Sequence, residues 1–131
     1  PLYAGIMGMM VDSGLATTMS EWFVHISTAE SFPVVTFFSA GVVNFLVPSG
    51  GGQWAVQAPI VVPAAAKLGV PINQAAMAVA WGDAWTNMIQ PFWALPLLAL
   101  TGLKLRQIMG YCIVILIWSG LLISSMIYLL Y

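Results

Sequence analysis

No charged residue occurs between Ser31 and Ala66, and none in the 25 residues that follow Arg106. Such runs suit a chain whose surroundings do not reward charge. A fold in water must coat itself with solvated side chains, and three Lys/Arg with four Asp/Glu cannot coat 131 residues. Charged residues make up 5% of the chain, against roughly a quarter in an ordinary soluble domain. The expected fold is therefore an all-α membrane protein with lipid as its solvent. A net charge of -1 provides no basic face, so no nucleic-acid partner is expected. Cys112 is the only cysteine, which excludes an internal disulfide and a Cys-based zinc site.

Crossing the hydrocarbon core takes about 20 apolar residues in a helix, so the spacing of charges and helix breakers marks the segments. Residues 1–25 read as a helix interrupted at Asp12 and followed by an interfacial stretch containing Trp22 and His25. Residues 32–66 are cut by Pro48-Ser49-Gly50-Gly51-Gly52, and three glycines in succession favour an irregular turn. The arms on either side are only about 24 and 21 Å long at 1.5 Å per residue, so a re-entrant hairpin with its tip at 48–52 fits better than two full crossings. Residues 71–100 form a helix expected to break at Pro91 and Pro96. Residues 106–131 form a plain final span, with Tyr128 and Tyr131 as interface anchors. Lys104 and Arg106 outnumber Lys67, which places their loop in the cytoplasm and Lys67 and Glu30 outside.

Two polar breaks stand out. Asp83, Thr86, Asn87 and Gln90 are spaced i, i+3, i+4, i+7, one polar stripe on a helix, with Trp81, Trp85 and Met88 opposite. A carboxylate within a membrane segment is costly and marks Asp83 as a functional candidate; a cap of the next half-helix or a partner for a distant cation is the alternative. At the hairpin tip, Ser49 and the amides of Gly50, Gly51 and Gly52 can face an anion, as can the positive end of the short helix expected to start near Gln53. Two discontinuous helices meeting at mid-membrane are how many secondary carriers build a site. Asp12 reads equally as an ion relay or a residue near water, and His25 as an interfacial side chain. Asn44 is expected to bond the hairpin's second arm. Trp54 and Trp85 are candidate pocket-lining residues, and Gly5, Gly8 and the Ser119-Gly120 pair read as close helix contacts.

The strings Val47-Pro-Ser-Gly-Gly-Gly-Gln-Trp-Ala-Val-Gln-Ala-Pro59 and Ala80-Trp-Gly-Asp-Ala-Trp-Thr-Asn-Met-Ile-Gln-Pro-Phe-Trp-Ala-Leu-Pro96 resemble the short-chain fatty acid transporter family. The likeness continues through Gly102-Leu-Lys-Leu-Arg-Gln-Ile-Met-Gly-Tyr111. It covers essentially the whole chain as the C-terminal part of a longer protein, which agrees with a start at Pro1. By this resemblance the family joins the ion-transporter superfamily, whose members have two inverted repeats, each with a re-entrant hairpin and a broken helix. The chain would be one half of such an inverted-repeat secondary transporter, partnered by a missing N-terminal repeat, with a homo-oligomer left open.

The resemblance further implies a multi-pass protein of a bacterial inner membrane that carries small monocarboxylates such as acetoacetate and butyrate. Ser49, Gly50, Gly51, Gly52 and Gln53 at the tip, with Thr86 and Asn87 at the break, would bind substrate. Asp83 and Asn87 are the candidates for a coupling proton or sodium ion, and no other cofactor or metal is expected. Acyl tails would lie against Trp54 or Trp85 at about 0.8 kcal/mol per buried methylene. The competing expectations are a dicarboxylate or amino-acid carrier of the same superfamily, a channel or structural subunit, and a membrane-embedded hydrolase using Ser49 with His25 or Asp83 as base.

Overall fold

A computed structural model describes residues 2–130, without the side chains of residues 2–4, 6 and 7. Tyr131, expected as an anchor, lies outside the described residues. The elements in chain order are α1 (Leu2–Asp12), α2 (Leu15–Ile26), α3 (Phe32–Asn44), α4 (Gly50–Leu68), α5 (Ile72–Asn87), α6 (Pro91–Thr101) and α7 (Leu105–Leu130), with no strand among the described residues.

Helix ends follow from local chemistry. Asp12 closes α1, and Gly14, at φ 76°, takes the left-handed conformation that lets α2 start in a new direction. Ahead of α3, Thr28 and Ser31 cap each other: the Thr28 N–H donates to Ser31 Oγ at 2.9 Å, and the Ser31 N–H to Thr28 Oγ1 at 3.2 Å. Gly69, at φ 73°, ends α4, and the Val70 N–H returns to the Ala65 carbonyl at 2.9 Å. Pro91 takes the first position of α6, where its missing N–H costs nothing.

Three expectations need correction. Gly50, Gly51 and Gly52 form the first turn of α4 instead of an irregular turn, because Ser49 caps that turn by accepting the Gly52 N–H at 3.4 Å. Pro96 does not break α6, which runs on to Thr101. Among the described residues nothing lies within 4 Å of where a Cβ on Gly5 or Gly8 would stand, whereas Gly120 does make a close helix contact.

The core lies where α3, α4 and α5 meet. Phe32, Phe37, Ala40, Ala64, Ala65, Ala75 and Ala78 are fully buried there. Small side chains let backbones approach where lipid supplies no hydrophobic drive between helices. Gly82 is the extreme case, since a Cβ on it would collide with the Phe37 carbonyl of α3. At the far end of α4, Lys67 pairs with Glu21 of α2 at 3.7 Å, an exposed contact of small energetic weight.

α6 and α7 pack differently. α6 buries no residue, and α7 buries only Gly120 and Ile127. Among the described residues, α7 is the one helix long and apolar enough to cross a membrane. Its hydroxyls turn inward on its own backbone: Ser119 donates to the Ile115 carbonyl and Ser125 to the Leu121 carbonyl, both at 2.7 Å.

Candidate functional site

The last turns of α3 and α5 end side by side. A helix leaves its final carbonyls without intrahelical donors, and in an apolar bundle each such group needs another partner. Here the two ends satisfy each other. Asn44, the last residue of α3, approaches three acceptors with Nδ2: the Asp83 carbonyl at 2.8 Å, Asn87 Oδ1 at 2.8 Å and Thr86 Oγ1 at 3.0 Å. An amide has two hydrogens, so one of these bonds is shared. In return, the Thr86 hydroxyl faces the Gly41 carbonyl of α3 at 3.1 Å, and Gln90 Nε2 donates to the Asn44 carbonyl at 2.9 Å. The interruption at residues 88–90 is thereby tied to the end of α3.

Beside this knot, the amino end of α4 meets Asp83. A Cβ built on Gly50 would lie 3.6 Å from Asp83 Oδ2, so the tip backbone and the carboxyl are neighbours. Gly50, Trp54, Ala76, Val79, Ala80 and Asp83 line one cavity of about 190 Å³. Asp83 Oδ1 is buried with no partner among the described residues, as is Asn44 Oδ1. The Gly50 and Gly51 amides belong to the first helical turn, where no intrahelical acceptor exists. The cavity thus brings the amino end of α4, at Gly50, together with the Asp83 carboxyl and an apolar remainder.

The residues singled out in the sequence divide between this cavity and its supports. Gly50, Trp54 and Asp83 line it, and Asn87 stands within hydrogen-bonding reach of the Asp83 carboxyl. Ser49 caps α4. Gly51 faces open space, so nothing in this structure crowds a side chain there. Gln53 is fully buried in the seam between α3 and α4, with Nε2 donating to the Ala40 carbonyl at 2.8 Å and to Gln57 Oε1 at 2.9 Å. Thr86 is buried in the knot. Trp85 lies across α5 from the cavity: its indole donates to the Leu116 carbonyl of α7 at 2.8 Å, and its ring fills the space left by Gly120. His25 is exposed on α2 and has no place in the cavity. Asp12 is likewise exposed.

Asn44 is the residue whose part the sequence concealed. It bonds α5 across 39 to 43 residues of chain instead of the neighbouring arm, and only its position at the end of an apolar run hinted at a buried polar role. Ala76, Val79 and Ala80 also escaped notice, although they precede Asp83 on one helical face at intervals of seven, four and three.

Tightly packed apolar helices, with buried polar atoms gathered at their interruptions, define a helical membrane protein. The family model described as Short chain fatty acid transporter matches residues 1–130, and the chain belongs to that family. Similar curated proteins from Escherichia coli (strain K12) and Haemophilus influenzae (strain ATCC 51907 / DSM 11121 / KW20 / Rd) both carry the name "Putative short-chain fatty acid transporter". The first is 52% identical over 122 residues and the second 49% over 120, covering 93% and 92% of this chain. The chain spans 28% and 27% of their respective lengths. No solved structure matches it.

Proposed function

We propose that the full-length protein is a secondary carrier that moves short-chain fatty acid anions of the acetoacetate and butyrate class across a bacterial inner membrane together with a proton or a sodium ion. The chain described here contributes a re-entrant hairpin, α3 and α4, and a broken helix, α5 and α6, as one half of an inverted-repeat carrier. The observation that carries this reading is the meeting of Gly50 and Asp83 on one small cavity.

In this reading the cargo carboxylate lies against the Gly50 and Gly51 amides and the Ser49 hydroxyl, where charge-assisted hydrogen bonds and the positive end of α4 replace water. Trp54 receives the acyl tail. An ionised Asp83 would repel a carboxylate this close, so the coupling cation neutralises it, with the Asn87 side chain beside it. Cargo and cation then bind as a pair. Asn44, Gln53 and Thr86 hold the walls of the site, and Trp85 ties them to α7.

The test is counterflow of labelled butyrate in vesicles containing the full-length protein, with protein-free vesicles setting the passive background. Exchange should exceed background and resist competition by succinate. Asp83→Asn should remove its dependence on the coupling cation. Exchange at the protein-free rate would refute the carrier reading.

A further inference from the structure

Two helices end at the same place, and we propose that Asn44 fills with its own amide the position a metal cation would take between them, so that the ends of α3 and α5 hold no sodium. This rests on the carrier reading and narrows its coupling ion: sodium is kept out of the knot beside Asp83 and Asn87.

The need for positive charge at this point comes from the helices themselves. α3 ends at Asn44 and α5 at Asn87, and the carbonyl end of a helix carries roughly half a negative charge. Side by side in an apolar bundle, two such ends repel. A cation between them is one remedy, and a side chain that donates from within is the other. The second is what stands here. Three oxygens converge on Asn44 Nδ2: the Asp83 carbonyl and Asn87 Oδ1 at 2.8 Å and Thr86 Oγ1 at 3.0 Å. Hard cations of the size of sodium or calcium also gather oxygens about one point, but draw them in to about 2.3–2.6 Å. A backbone carbonyl only accepts, so the Asp83 carbonyl fixes which end of the Asn44 amide faces it.

The other oxygens at the two ends already face neutral donors. In α3 the Gly41 carbonyl faces the Thr86 hydroxyl, Val42 and Val43 accept from the Phe45 and Leu46 amides, and Asn44 accepts from Gln90 Nε2. In α5 the Trp85, Thr86 and Asn87 carbonyls accept from the amides of Met88, Ile89 and Gln90. Asn87 Oδ1 serves Asn44, which leaves the Asn87 amide nitrogen for the Asp83 carboxyl. At these ends the oxygens without a partner among the described residues are Asn44 Oδ1 and Asp83 Oδ1, both buried. Even with Asp83 Oδ2, which lies towards Gly50, they fall short of the roughly six oxygens a hard cation gathers.

The experiment is thermal unfolding of the full-length protein in detergent, in sodium chloride or in choline chloride at equal ionic strength and pH. Asn44→Asp sets a carboxylate against the Asp83 carbonyl and turns the knot into a cation site. That variant should unfold at least about 3 °C below wild type in choline, and sodium should restore at least half of the loss. Thr86→Val removes one of the three oxygens, and exchanging choline for sodium should shift its midpoint by the same amount as in wild type. A loss in Asn44→Asp that is equal in the two salts overturns the proposal, as does a sodium shift in wild type that disappears in Thr86→Val. Should Asn44→Asp yield no folded protein, the comparison of wild type with Thr86→Val decides alone. Unfolding is read without cargo, so each result stands apart from the counterflow that tests the carrier reading.

Discussion

The α3–α5 unit and the α6–α7 unit are built from similarly apolar sequence, yet they resolve it in opposite ways. In α3–α5, glycines and alanines bring backbones into contact, and the facing ends of α3 and α5 are tied by Asn44, Thr86 and Gln90. In α6–α7 the large apolar side chains point outward, with Leu100 87% exposed and Trp118 68%. The first unit is specified by contacts within this chain. The second is specified by its surroundings, apart from the seam where Gly120 and Leu116 meet Trp85 and Ile127 packs with Phe37 and Ala78. Polar atoms follow the same division: they sit at inter-helix seams in the first unit and on their own helix backbone in the second.

Glycine substitutions should break this comparison most sharply. Gly82→Ala places a Cβ against the Phe37 carbonyl, a rigid backbone atom, and should destabilise the protein by about 3 kcal/mol or abolish its folded yield. Gly110→Ala, in open space on α7, should leave thermal unfolding in detergent unchanged or slightly raised. Equal effects at the two sites would erase the distinction between the units.

Next in size is Asn44→Ala. It removes the donor shared by the Asp83 carbonyl, Thr86 and Asn87, and should cost about 1–3 kcal/mol for the acceptors left unpaired. Hydrogen exchange should then rise around residues 83–90 and stay unchanged in α7. Smallest is Trp85→Phe, which keeps an aromatic ring against Phe37 but loses the bond to the Leu116 carbonyl and the indole edge that meets Gly120. A loss of about 0.5–1.5 kcal/mol is expected, confined to the seam between α5 and α7.

How legible these features were depended on whether their cause is local. The apolar runs announce helices in lipid without help from anything distant, and the run after Arg106 contains the helix best able to cross a membrane. Prolines are less informative than they look: Pro91 starts α6, but Pro59, Pro63 and Pro96 lie inside helices, because neighbouring turns tolerate one missing bond. The three glycines read as a loop because their flexibility is visible in sequence, while the Ser49 cap that makes them helical depends on geometry. The polar stripe through Asp83 and Asn87 was evident from spacing. Its partner Asn44 was not, since nothing local pairs a residue at the end of one helix with the end of another some 40 positions later.

The central claim is that the amino end of α4 and the Asp83 turn of α5 line one site for a small anion. A structure of the full-length protein with butyrate bound tests this most directly. The account predicts density for the carboxylate at the Gly50 and Gly51 amides, with the methyl group beside Ala80 and Trp54. Butyrate bound elsewhere, away from both Gly50 and Asp83, would contradict it.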